Sequence, residues 1–309
     1  MASVLTRSTN NPPPPERAAR PLAAIAWILI ASAGFAFGWV MIRYASATLH
    51  PLALVFWRNL FGFSLLLPFA LRHPYMRDIS RWRSHAVRAT SGIIAMYGTF
   101  YAVANAPLAT VQAINFAAPV FATAGAALFL GERLRVRRIG ALLVGFAGVI
   151  IVLRPGAIPL SPGIVAAVIA AVATAFSLVA IKRLVGIAPP MAVVFWSFML
   201  PLVPSAIVAG FVWRWPEGRD WLYLCGLAAG TLVGQIATTR AFSLAEATAV
   251  MPFDFIRFGI MIAAGVLLFG EHVDAPTLIG GSVVLASAIY LAYREAVLAR
   301  QRQTSPANR

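Results

Sequence analysis

Disulfides, metal ligands and charge are what this sequence has least of. Its 309 residues include one cysteine, Cys225, and four histidines. A single cysteine admits no internal disulfide, which excludes a cross-linked scaffold. His50, His73, His85 and His272 lie in loops or at the edges of apolar runs, and no pair has metal-ligand spacing. No phosphate-binding glycine loop is present, so ATP drive within the chain is excluded. An embedded enzyme would need a metal cluster, a carboxylate pair or a nucleophile with its base, and none is spaced for it. A channel would need rings of charge or a filter loop, and both are missing. These two classes are the weaker alternatives, and no cofactor is expected. Charged residues make up only 11% of the chain, against about a quarter in soluble domains.

What is there instead is apolar surface, with 60% hydrophobic residues and a mean hydropathy of +0.81. One soluble core cannot bury so much. The pattern predicts an all-α polytopic membrane protein whose surrounding partner is the lipid bilayer. Apolar runs fall at Leu22–Ile42, Pro51–Leu71, Ala86–Ala104, Leu108–Leu130, Ile139–Leu153, Pro162–Ile181, Pro190–Trp213, Trp221–Thr239, Ala247–Phe269 and Pro276–Tyr293. Each is read as one transmembrane helix. Prolines at Pro51, Pro162, Pro190 and Pro276 suit helix starts, where a missing N–H is harmless. The fifth run is short, about 22 Å at 1.5 Å per residue, and implies a thinned or locally covered bilayer. The polar, proline-rich start (1–21) reads as a disordered cytoplasmic tail, and 294–309 as a second tail.

The net charge is +15, and 24 of the 25 basic residues are Arg. They cluster between apolar runs rather than on one face, so nucleic acid is not the expected partner. Taking the N-terminus as cytoplasmic, 18 fall inside, counting five from Arg72 to Arg88, and four fall outside. Arg58, Arg240 and Arg257 remain within or at the edge of runs. That split predicts both termini in the cytoplasm and a multi-pass place in a bacterial inner membrane.

The two halves are one unit written twice. Pro51–Trp57 (PLALVFW) and Pro190–Trp196 (PMAVVFW) agree at five of seven positions, at an offset of 139. The same offset aligns Ala36–Arg43 with Ala175–Lys182, and Tyr101–Glu132 with Arg240–Glu271 with eight identities and no gap. The units are 22–154 and 161–293. Five helices is an odd number, so the second unit is expected to enter the membrane inverted. Four arginines follow Glu132 while none directly follows Glu271, as opposite sides require. The predicted fold is ten transmembrane helices in two inverted five-helix repeats, an arrangement of secondary transporters with the substrate near midplane.

With its Gly131-Glu132 and Gly270-Glu271 pairs, each before a closing helix, the chain resembles the EamA branch of the drug/metabolite transporter superfamily over about residues 24–293. One departure is that Pro252 does not align with Pro119, so matching kinks are not expected. The resemblance implies a transporter of a small-molecule metabolite; such families move amino acids, riboflavin, S-adenosylmethionine or sugars. A homodimer is compatible with it.

Ionisable groups deep in a bilayer are functional candidates. Asp254 and Arg257, about 12 and 16 Å into the ninth run, share a helix face and either pair structurally or face a cavity. Asp254 is also the one deep acidic group that could carry a proton. Asn115 is the repeat counterpart of Asp254. Arg58, about 12 Å into the second run, either snorkels or recognises substrate, and its counterpart is Ser197. Tyr97, Tyr101 and Asn105 form one stripe, Gln112 and Asn115 a matching face, and Thr231, Gln235 and Thr239 a third. These stripes are interhelical glue or a cavity lining. Trp57 and Trp196 hold equivalent repeat positions, for packing or for ligand stacking. Gly226, Gly230 and Gly234 read as a close-contact ladder. Glu132 and Glu271 end helices at an unfavourable dipole, so both should be tied down by Arg or backbone groups. Together these groups predict an uncharged or zwitterionic substrate, amino-acid-like or vitamin-like, because a polyanion would need more convergent cations.

Overall fold

The computed structural model describes residues 21–77, 82–118, 120–121, 136–154, 161–185, 189–245 and 251–304. The polar start of the chain, Pro119 and the Gly131-Glu132 pair lie outside these residues. The described helices are α1 (Pro21–Ala45), α2 (Pro51–Arg72), α3 (Trp82–Asn105), α4 (Leu108–Asn115), α5 (Val136–Leu153), α6 (Pro162–Val185), α7 (Pro190–Met199), α8 (Leu202–Phe211), α9 (Asp220–Leu244), α10 (Ile256–Phe269) and α11 (Ala275–Thr304). Short 3-10 turns occupy Pro74–Arg77 and Met251–Phe255, and no strand occurs among the described residues. Within each helix the backbone polar groups are satisfied internally, as lipid demands.

Among the described residues four stretches are long and apolar enough to cross a membrane: Leu22–Ala45, Pro51–Arg72, Pro190–Phe211 and Asp220–Leu244. Polarity is distributed inside out. Phe211 is 86% exposed and Leu267 79%, while Arg58, Asn59, Arg88, Gln112 and Ser197 are buried. A surface this apolar matches lipid rather than water.

Three helix pairs run along one another: α1 with α9, α3 with α6, and α5 with α11. Small residues set the crossings. A Cβ on Gly230 would lie 2.7 Å from the Gly34 carbonyl oxygen, and one on Gly280 would lie 2.7 Å from that of Gly148. Lipid offers no hydrophobic drive for helix association, so close backbone approach and dispersion take its place. In the glycine ladder Gly230 and Gly234 both abut the backbone of Gly34, a Cβ on Gly34 lying 2.9 Å from the Gly230 oxygen and 3.1 Å from the Gly234 nitrogen, whereas Gly226 faces the flexible Met41.

Several boundaries differ from expectation. The fifth span starts at Val136 and has 18 residues, so it is longer than the apolar run alone. Its first turn takes in Arg137 and Arg138, whose charge hid it from hydropathy. The seventh span breaks at Leu200–Pro201 into α7 and α8, since proline cannot donate the helical bond. The ninth is a 3-10 turn before α10, so Asp254 sits at a helix start rather than within a continuous helix. The last helix continues to Thr304, beyond the expected end at Tyr293.

Candidate functional site

Two arginines from different helices converge on α7. Arg58 of α2 is 4% exposed; its Nη1 donates to Asn59 Oδ1 at 2.7 Å and points at Met96 Sδ at 3.2 Å. Its guanidinium lies 4.1 Å from the centre of the Phe198 ring. Arg88 of α3 is 8% exposed and its Nη1 donates to Ser197 Oγ, which in turn donates to the Val193 carbonyl. Arg58 does not snorkel; it is enclosed. Its repeat counterpart Ser197 stands at the same meeting point. Beside it the Trp196 ring packs 5.8 Å from the His85 ring, and Asn59 Nδ2 reaches Ser205 Oγ of α8 at 3.3 Å.

Asp254 and Arg257 form an ion pair, Arg257 Nη2 to Asp254 Oδ2 at 2.8 Å. Ser32 Oγ of α1 donates to the other carboxylate oxygen at 2.7 Å, and Arg257 lies 5.5 Å from the Phe35 ring centre. The pair therefore ties α1 to the start of α10. A carboxylate at that N-terminal end also meets a favourable helix dipole.

Trp57 stands apart from Trp196. It is enclosed by Phe56, Phe61, Trp213, Trp215 and Trp221, with ring centres 5.3 to 6.5 Å away. Asn115 Nδ2 turns back to the Val111 carbonyl at 3.1 Å and Asn105 Nδ2 to that of Tyr101 at 2.8 Å. Gln235 is half-buried on α9, as is Tyr101 on α3. Gln112 is fully buried, and neither its amide nitrogen nor its oxygen has a hydrogen-bond partner. The same holds for Tyr97 Oη, Trp57 Nε1 and Trp196 Nε1, all within the spans. Orphaned polar atoms are costly in a dry interior, about 1–3 kcal/mol each, and mark places where a polar ligand or water is accepted.

A second polar knot lies at one end of the bundle. Glu271, just past α10, accepts from Arg43 Nη2 at 3.0 Å and from the Leu108 N–H at 2.8 Å. Arg43 Nη1 also reaches the Val103 and Ala106 carbonyls. This is the tie expected of Glu271; Glu132 lies outside the described residues. Close by, Arg154 pairs with Asp274, which accepts the Thr277 N–H at 3.0 Å and so caps α11. Burial pushes the Asp274 carboxyl up, but hydrogen bonds from Thr277 and Arg154 outweigh it and hold it below the usual aspartate value. A cavity of about 210 Å³ opens here, lined by Thr110, Arg154, His272 and Asp274 among others. It contains none of the ten side chains expected to bind substrate, so the convergent groups and this cavity are separate features.

Arg88, Asn59 and Ser32 escaped the sequence reading. Arg88 lies near the start of its run and among other arginines, so by sequence it groups with the cytoplasmic loop cluster. Its spacing of three from His85, on a face that continues through Ala89 and Ala95, was the available signal. Among the described residues no group of three His, Cys, Asp or Glu could hold a metal ion. The arrangement gathers polar groups within a lipid-facing shell; it offers no catalytic constellation among the described residues.

Comparison with known proteins gives a consistent pattern. The profile of the EamA-like transporter family matches twice, at residues 22–154 and 161–293. An S-adenosylmethionine uptake transporter of Rickettsia felis is 28% identical over 275 residues, covering 89% of this chain and 94% of the relative. A riboflavin transporter of Rhizobium johnstonii is 28% identical, covering 93% and 95%. A pseudopaline exporter of Pseudomonas aeruginosa is 30% identical, covering 85% and 93%. A solved crystal structure shares the fold with a TM-score of 0.58 at 19% identity, over 92% of this chain and 99% of its own.

Proposed function

The chain belongs to the EamA-like transporter family, and on that premise we propose that it moves a small uncharged or zwitterionic metabolite across the inner membrane by alternating access. It is a membrane transporter and not an enzyme. The observation that carries the substrate reading is the inward gathering of polar groups. Gln112, Tyr97 and Trp196 keep unpaired polar atoms, and Arg58, Asp254 and Arg257 carry charge, inside a shell of exposed leucine, isoleucine and phenylalanine. Asn115 and Gln235 supply further neutral donors and acceptors, and Tyr101 and Trp57 supply aromatic surface.

The two halves are inverted repeats in this reading, and the helix pairing supports it. Adding 139 to residue numbers carries α3 (Trp82–Asn105) onto 221–244 of α9, α2 onto the α7–α8 span, and α5 onto 275–292 of α11. The pair α1·α9 then becomes α6·α3, while α5·α11 maps onto itself. A fold whose contacts survive exchange of its halves has the symmetry that rocking between two faces needs. Both termini are cytoplasmic in this topology, from the distribution of arginine.

Relatives are named for uptake and for export, so direction does not follow from similarity. Their names favour an amino-acid-bearing or vitamin-like compound. Purified protein in liposomes should take up labelled S-adenosylmethionine or riboflavin saturably, with counterflow against unlabelled compound. Exchange of a phosphate ester for inorganic phosphate, with indifference to amino acids and flavins, would overturn the reading. Flux that never saturates would instead favour a channel.

A further inference from the structure

Five arginines among the described residues are not exposed: Arg43, Arg58, Arg88, Arg154 and Arg257. Three of them have carboxylates, namely Glu271, Asp274 and Asp254. Arg58 and Arg88 are the two most buried, and neither is bridged to an acid among the described residues. Their partners are an amide oxygen, a thioether, an aromatic face and a hydroxyl. Such groups solvate a guanidinium without neutralising it. Two like charges in one low-dielectric layer raise each other's cost, so this is an unstable arrangement unless something negative joins it.

Their placement fits a transported anion rather than a fixed one. Arg58 lies about 10 Å along α2 and Arg88 about 10 Å along α3. In the proposed topology these helices run in opposite directions, so the two residues enter from opposite faces of the membrane, and it is their shared contact with α7 that brings the guanidinium groups toward one another. They meet at Ser197 and Phe198, about a third of the way along the seventh span, beside Trp196. Arg88 Nε is buried and has no hydrogen-bond partner.

We propose that Arg58 and Arg88 form an oxyanion subsite that holds the carboxylate of the transported metabolite. The inference rests on the transporter reading above and narrows it to substrates that carry a carboxylate. Donor supply favours a carboxylate over phosphate. Ser197 already donates to Val193, and Asn59 Nδ2 to Ser205. Two guanidinium arms remain, one for each carboxylate oxygen, with Trp196 Nε1 the one further unpaired donor on the neighbouring α7 residue, whereas a phosphate dianion asks for more donors. Neutral compounds lacking the group would leave both charges unpaired and bind poorly.

Binding and transport test this separately. Purified full-length protein in detergent is melted with sodium acetate, sodium chloride or inorganic phosphate at equal ionic strength. Acetate should raise the melting temperature saturably and more than the other two. Arg88→Gln should abolish the acetate response and, having removed a buried unpaired charge, melt no lower than the native protein without acetate. If Arg88→Gln does not fold, Arg88→Lys carries the test, with half-saturation by acetate weakened about tenfold as its single ammonium loses the fork. An acetate response equal to that of chloride, stronger with phosphate, or unchanged in the folded variant overturns the carboxylate subsite. In liposomes, S-adenosylmethionine should outcompete its decarboxylated analogue by tenfold or more. Equal transport of the two, or transport of riboflavin alone, overturns the subsite while the transporter reading stands. If none of these moves, the substrate reading fails and the melting result still decides the subsite.

Discussion

Arg43 and Glu271 hold each other at 3.0 Å across the two halves of the chain, and Glu271 spends its second oxygen on the Leu108 N–H that opens α4. Because Arg43 also reaches the Val103 and Ala106 carbonyls, one carboxylate and one guanidinium fix the end of α1, the turn between α3 and α4, and the end of α10. Glu271 follows a helix C-terminus, where the dipole is unfavourable, yet its carboxylate is used at another helix's N-terminus, where it is favourable.

Glu271→Ala should therefore cost about 2–4 kcal/mol, since it removes a cap and strands a partly buried guanidinium. Glu271→Gln can still accept the Leu108 N–H and should lose less. Melting of both, and of Arg43→Ala with Glu271→Ala combined, checks this. Additive losses in the double variant would contradict direct coupling.

At the α1–α9 crossing, Gly230→Leu should damage assembly far more than Leu227→Val. A Cβ on Gly230 would sit 2.7 Å from the Gly34 oxygen and 3.0 Å from the Gly38 nitrogen, and backbone cannot step aside. Leu227, fully buried, would lose only one methylene, about 1 kcal/mol. Equal expression and melting of the two variants would refute close helix contact.

The Asp254–Arg257 pair predicts a sign inversion between single and double variants. Removing either partner alone leaves a half-buried charge beside apolar neighbours, costing about 3 kcal/mol, whereas Asp254→Ala with Arg257→Ala together should cost less than either alone. Thermal melting of the three proteins decides it. Transport by Asp254→Asn with an unchanged pH profile would dismiss this carboxyl as a proton carrier.

Asp274 gives a pH-dependent stability outside the spans. Its carboxyl is held below the ordinary aspartate value, so the stability it adds is present above that value and lost as pH falls through the lowered one. Asparagine keeps the cap on α11 and removes the charge. Asp274→Asn should thus melt slightly lower than the native protein at pH 7, by under about 1 kcal/mol given its 45% side-chain exposure. The difference should start to shrink below about pH 4 and vanish only once pH has fallen below the lowered value. A gap that persists into acid would contradict the ion-pair account.

Topology has its own check. A reporter fused after Arg309 should be active only in the cytoplasm, and a cysteine at Arg154 should be labelled from outside. Either result reversed would invert the orientation drawn from arginine.

Sequence alone determined that this chain lives in a bilayer and that its halves share one register, because hydropathy and repetition are properties of composition and order. Pro51 and Pro190 marked their helix starts for the same local reason. The offset that aligned Trp57 with Trp196 also carries α3 onto α9, with no knowledge of coordinates. Asp254 and Arg257 were legible as a pair because three residues on a helix bring side chains together. Only the tertiary structure decided which distant groups meet. Arg88 looked like one more loop arginine until α3 turned it onto Ser197, 109 positions away. Trp57 and Trp196 look equivalent in sequence, yet one is walled by tryptophans and the other packs on His85. Glu271 found Leu108 across 163 residues. No local pattern encodes such meetings, because they depend on how whole helices cross, and those crossings are set by small residues on partners far apart in the chain.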